Sequence, residues 1–104
     1  MFVLRSWPKG RAADASVDTD GTAFDLRRSA HGGYMVSQVV VKADDLCFVG
    51  VGPSATPPAP TTSNTSYHEP GIWIYTLARD REEELYFYVY ATSGTADVRV
   101  SMMV

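Results

Sequence analysis

Hydrophobic and polar positions alternate with period two along much of the chain. In Ile72-Trp73-Ile74-Tyr75-Thr76-Leu77, one face carries Ile72, Ile74 and Thr76, and the other carries Trp73, Tyr75 and Leu77. In Leu85-Tyr86-Phe87-Tyr88-Val89-Tyr90-Ala91, the residues Leu85, Phe87, Val89 and Ala91 oppose Tyr86, Tyr88 and Tyr90. Successive side chains of a strand point to opposite sides, so both runs predict strands. Their aromatic and β-branched content fits that geometry. The charged run Asp80-Arg81-Glu82-Glu83-Glu84 separates them and predicts a hairpin turn or a short connection between sheets. The C-terminal run from Asp97 alternates again, with Val98, Val100 and Met102 on one face. Thr92-Ser93-Gly94-Thr95 precedes it as a turn cluster, which predicts a second hairpin.

Upstream, Tyr34 to Lys42 reads as a strand, Asp44-Asp45 as a turn, and Leu46 to Gly52 as the next strand. Gly50 inside that strand predicts a bulge or a close backbone approach. Shorter strands are expected at Ala15 to Val17 and Thr22 to Leu26, around Asp18-Thr19-Asp20-Gly21. Phe2 to Trp7 reads as a strand or an extended arm, and Ser29 to Gly33 as a loop. No segment has a helical period. Short strands separated by turns predict an all-β fold, an antiparallel, jelly-roll-like β-sandwich of about seven to eight strands. One domain over residues 1–104 is expected, with an extended arm at residues 1–11.

Residues 53–68 break the pattern. Four of the six prolines fall here (Pro53, Pro57, Pro58 and Pro60), among Ser and Thr residues. Proline lacks an amide donor, which excludes a central strand. A loop this long in a small domain is often functional or bound to a partner. It is expected to cross between sheets or to lie on a neighbouring subunit.

Composition narrows the function. The chain has 104 residues, the length of about one domain. Nine basic against twelve acidic residues give a net charge of −3, which argues against a nucleic-acid binder held by phosphate contacts. No apolar run is long enough for a transmembrane helix, and Met1-Phe2-Val3-Leu4-Arg5 does not read as a secretory leader. The single cysteine, Cys47, excludes an internal disulfide and a multi-cysteine zinc site.

Little catalytic chemistry is visible. Cys47 alternates with Val49 and Val51 and reads as buried rather than as a nucleophile paired with His31 or His68. Asp18-x-Asp20-Gly21 has the look of a calcium loop, but its twelfth position is Ser29 where a bidentate Glu is needed. A plain Asp/Gly turn accounts for it. His68 and Glu69 are adjacent, so on an extended chain their side chains diverge. Asn64-Thr65-Ser66 matches a glycosylation acceptor, a short and common pattern. No catalytic residue, metal or cofactor is expected. The candidate interface residues are Phe2, Leu4 and Trp7 of the arm, Pro57, Pro58 and Pro60 of the loop, and Trp73, Tyr75, Tyr86, Tyr88 and Tyr90 of the strands. Tyrosine joins a large apolar body to a polar tip and suits interfaces and sugar platforms. Intramolecular cover by the second sheet or the loop is the alternative for the tyrosine face.

One family resemblance rests on the order of segments from Val36 onward. The pieces are Val39-Val40-Val41, Asp45-Leu46-Cys47-Phe48-Val49-Gly50-Val51-Gly52, the 53–68 loop, Glu69-Pro70-Gly71-Ile72-Trp73-Ile74, Tyr88-Val89-Tyr90-Ala91 and Ser93-Gly94-Thr95-Ala96-Asp97-Val98-Arg99-Val100. This order resembles a family of small β-sandwich virion proteins of tailed bacteriophages. The proline-rich loop's length and the N-terminal third have no counterpart in that pattern. The resemblance implies a virion structural protein, foremost a capsid decoration (cement) protein that stabilises the head across neighbouring capsomers. It implies the major capsid protein or other virion proteins as partners, location in the virion, and a homo-oligomer, with a trimer as one arrangement. A head–tail connector, a tail component and a carbohydrate- or ligand-binding module are the alternatives.

Overall fold

The computed structural model describes residues 12–77 and 86–103. Eight strands run in chain order: β1 Ala12–Asp18, β2 Thr22–Asp25, β3 Gln38–Ala43, β4 Cys47–Gly52, β5 Ser66–His68, β6 Gly71–Thr76, β7 Tyr86–Ala91 and β8 Thr95–Met103. A single 3₁₀ turn at Arg28–Ala30 interrupts the β2–β3 connection. The arm at residues 1–11 and the acidic segment lie outside the described residues.

The strands form two four-stranded sheets, ordered β1-β8-β3-β6 and β2-β7-β4-β5, and every pairing is antiparallel. The pairs β1–β8, β2–β7, β3–β6 and β4–β5 describe one long ribbon folded at the β4–β5 connection. Wrapping that ribbon brings β3 beside β8 and β4 beside β7. This is a jelly roll, and the expected all-β sandwich holds.

Two connections differ from the sequence reading. The turn after Ala91 was expected to close a hairpin, but β7 and β8 belong to different sheets. The apolar rows Phe87-Val89-Ala91 and Ala96-Val98-Val100-Met102 face each other across the core instead of lying side by side. The proline-rich segment does the reverse. It joins β4 to β5 within one sheet, as a long hairpin loop, and β5 emerges from its C-terminal part. Tyr34 to Ser37, expected to start a strand, precede β3 as irregular chain.

The core takes alternate residues from both sheets. Val17, Val39, Val41, Ala96, Val98, Val100 and Met102 meet Phe24, Cys47, Val49, Phe87, Val89 and Ala91. Each Val, Phe or Met side chain fully buried this way contributes about 1.5–3 kcal/mol.

The tyrosine face of β7 is also buried, by the chain's own loop. Tyr88 Oη donates to the Ser54 carbonyl at 2.5 Å and accepts from the Ser54 amide at 3.0 Å. Tyr90 Oη donates to the Pro58 carbonyl at 2.7 Å. Asn64 ties the loop to itself through the Thr61 amide and the Ala59 carbonyl. Glycines admit this close packing. A Cβ on Gly50 would stand 2.7 Å from the Asn64 carbonyl oxygen, and one on Gly52 would stand 2.9 Å from the Tyr88 ring. The expected close approach at Gly50 is therefore made by the loop backbone.

Candidate interaction surface

A sheet edge presents unpaired backbone groups, and proteins usually shield it with charge, proline, brevity or a covering loop. Three of the four edge strands are shielded. β1 carries Asp14, whose carboxylate pairs with Arg99 at 2.7 Å. β2 is short and ends in Asp25, paired with Arg27 at 2.7 Å. β5 has three residues and follows directly on the proline-rich loop.

β6 has none of these devices. Its six residues, Gly71-Ile72-Trp73-Ile74-Tyr75-Thr76, include no charge and no proline. Among the described residues only β3 pairs with it. Ile72, Trp73 and Ile74 are 66%, 51% and 45% exposed. Register explains which way they point. Trp73 and Tyr75 pair with the core-facing Val41 and Val39, while Ile72 and Ile74 pair with Lys42 and Val40 on the outer face. Trp73 lies at the rim of the sandwich, where its indole N–H donates to the Glu69 carbonyl at 3.1 Å. Tyr67, on β5 of the other sheet, is 69% exposed and packed on Phe48 with ring centroids 5.2 Å apart.

The candidate interface residues therefore separate. Phe2, Leu4 and Trp7 lie outside the described residues. Trp73 stays accessible. Tyr75 turns inward, packed on Phe87 and on the buried ring of His68. Tyr86 is half-buried, with the Arg27 guanidinium 5.3 Å above its ring. Tyr88 and Tyr90 are 2% and 0% exposed, so their rings are cover for the chain's own sheet and offer no surface to a partner or a sugar. Pro58 is exposed, while Pro57 and Pro60 are half-buried. Pro60 borders a groove of about 340 Å³ lined also by Phe48, Thr61, Thr62, Thr65, Ser66 and Tyr67. Ile72, Ile74 and Tyr67 were missed. Alternation reveals two faces of a strand but does not say which one a second sheet will cover.

The residues with potential chemistry are used structurally. Asp18 Oδ1 accepts from the amides of Asp20 and Gly21, which closes the β1–β2 turn. Among the described residues no group of three or more His, Cys, Asp or Glu is placed to hold a metal ion. Register sets Cys47 opposite His68, both fully buried. The Cys47 thiol lies near the Asp45 carbonyl at 3.4 Å, and burial pushes its pKa up, with Asp45 and Asp44 adding to the effect. A thiol held neutral and out of reach is a poor nucleophile. The Arg99 and Arg27 guanidiniums hold the Asp14 and Asp25 carboxyls below their ordinary range.

His68 shares a hydrogen bond with the Tyr75 hydroxyl, and burial lowers its pKa below the usual 6.5, against an opposing effect from the Gly71 backbone. Above pH 6.5 the imidazole is neutral in both folded and unfolded chains. As pH falls below that value the unfolded chain takes up a proton that the native state resists, so stability declines. Thermal melts between pH 7.5 and 5 should show this decline, with a slope of at most about 1.4 kcal/mol per pH unit for one proton. His68→Gln should flatten it. Asp14 and Asp25 lose their contributions only below about pH 4, outside this window.

The fold and this surface define a small jelly-roll domain in which, among the described residues, β6 is the apolar edge left without a shielding device. No protein-family profile matches the chain, and no curated protein or solved structure matches it at a significant level.

Proposed function

We propose that this protein is a structural component of a tailed-bacteriophage virion, a capsid decoration protein that binds the assembled head. The observation that carries the reading is the β6 edge, which no other described strand covers. Six uncharged residues with Ile72, Trp73 and Ile74 exposed form a strand prepared for a neighbouring protein. The order of segments from Val36 onward, which resembles small virion proteins, supports the same role. A jelly roll by itself hosts many functions, so the site has to carry the argument. A carbohydrate platform on the tyrosine strand is disfavoured, because the loop covers Tyr88 and Tyr90.

The test is co-sedimentation of purified protein with shells assembled from the major capsid protein of the phage whose genome carries its gene. Saturable binding to shells is expected, together with detection by mass spectrometry in purified virions. Absence from virions and no binding to shells would overturn the proposal. Binding to portal or tail complexes in place of shells would move the protein to the connector or tail.

A further inference from the structure

We infer that the groove between the proline-rich loop and the Phe48–Tyr67 ring pair is a binding site for a neutral saccharide. The site lies on the sheet opposite β6 and does not depend on the virion reading.

The groove begins where the loop's cover ends. Tyr90, Phe48 and Tyr67 stand in register on β7, β4 and β5, and form one row of rings. Tyr90 is completely buried under the loop, Phe48 is half-buried, and Tyr67 is 69% exposed. The open end of the row is fixed by its own contact, with the Phe48 and Tyr67 planes tilted 44°. An exposed ring already held in place loses less freedom when a ligand packs on it.

The facing wall is also built in advance. The Thr61 amide donates to Asn64 Oδ1 at 2.7 Å. Thr65 donates to the Thr61 carbonyl through its hydroxyl at 2.7 Å and its amide at 3.2 Å. The Asn64 backbone is seated over Gly50 of β4, with no room for a Cβ between them. These bonds shape a groove of about 340 Å³ before any ligand arrives. That volume lies at the low end of the roughly 300–1,000 Å³ usual for small-ligand sites.

The lining selects the class of ligand. It combines Phe48, Pro60 and Tyr67 with threonines and a serine, and none of its residues is charged. An ionic ligand finds no counter-charge among them. A wholly apolar ligand would strip water from the hydroxyls and give no hydrogen bond in return. A pyranose answers both surfaces. Its C–H face packs on the Tyr67 ring. Its hydroxyls both donate and accept, as do those of Thr62 and Ser66. Thr62 and Ser66 are exposed, and their hydroxyls are spent on none of the loop's bonds. A polyproline peptide also packs on aromatic grooves, but its backbone carries acceptors alone.

The experiment titrates ¹⁵N-labelled full-length protein, followed by NMR, with glucose, galactose, mannose, N-acetylglucosamine, cellobiose, maltose and lactose. Each is added to about 10 mM, tenfold above a weak Kd of about 1 mM. Glucuronate, glucosamine and a polyproline peptide are the contrasts. At least one neutral sugar should give saturable shifts at Phe48 and residues 61–67, with weaker effects from the charged sugars. Tyr67→Ala should raise the Kd roughly tenfold or more, and Tyr67→Phe should bind nearly as wild type does. Thr62→Val/Ser66→Ala should raise it roughly fivefold, the loss of about one hydrogen bond. Circular dichroism checks that each variant is folded, and the hydroxyl variant carries the test if Tyr67→Ala is not. Ile72→Lys, on β6, should bind sugar as wild type does. Any of four results would overturn the inference: no shift with any neutral sugar, shifts confined to another surface, binding unchanged in the groove variants, or a polyproline peptide taking the groove in place of sugar. Shell binding is scored separately, so failure here leaves the virion reading standing.

Discussion

Gly21→Ala is expected to destabilise the protein by about 2–4 kcal/mol, far more than a surface substitution of one methyl group. Two effects combine. Gly21 closes the β1–β2 turn at φ 89°, where an L side chain is strained by about 1 kcal/mol. A Cβ there would also stand 2.5 Å and 2.6 Å from ring carbons of Tyr90, which is itself completely buried. The ring is held by its bond to Pro58 and cannot move without disturbing the loop. Gly33→Ala is the control. Gly33 has nearly the same conformation, φ 86°, with nothing within 4 Å of the added atom. It should show the backbone strain alone, about 1 kcal/mol. Chemical denaturation of both variants gives the comparison. In melting temperature Gly21→Ala should fall by roughly 10–20 °C. Equal effects of the two variants would mean that the overlap with Tyr90 is relieved at no cost.

Tyr90→Ala carries the largest expected loss, about 3–5 kcal/mol, a large part of the roughly 5–15 kcal/mol available to a domain of this size. The ring is the largest fully buried side chain. It anchors the proline-rich loop at Pro58, contacts Tyr88 edge-on at 6.3 Å, and fills the space over Gly21. Tyr90→Phe separates these roles. It keeps the packing and loses the hydrogen bond, which costs about 0.5–1.5 kcal/mol. Because the exposed side of the loop depends on this anchor, Tyr90→Ala should also make residues 53–65 more sensitive to proteolysis. Gly21→Ala in the Tyr90→Ala background should lose its clash and keep only its strain, so the two effects should not add.

These predictions all concern the loop folded on the β7 face, and they mark where sequence reading stopped. Residues 53–68 were legible as a proline-rich segment that no central strand could contain. Its destination was not legible. The contacts that hold it are carbonyls of Ser54 and Pro58 and the backbone over Gly50, and backbone groups are the same in every residue. β5 was lost in the same segment, because three residues are too few to show a period.

Alternation by itself determined the strands from Gln38 to Gly52 and from Gly71 onward, the all-β class, and the burial of Cys47, because period two is a local property of the backbone. Two things were decided only by tertiary structure. One is which side of each strand is covered. The rows of β7 are apolar and aromatic, and both became interior, one under the opposing sheet and one under the loop. The rows of β6 are both apolar, and one stayed outside. The other is which strands are neighbours. β6 is an edge because β3 and β8 meet at long sequence separation, and no local pattern encodes that meeting. The candidate surface exists only as a result: Ile72 and Ile74 look like core residues in the sequence, and the wrapped ribbon places them on the outer face, where they are exposed.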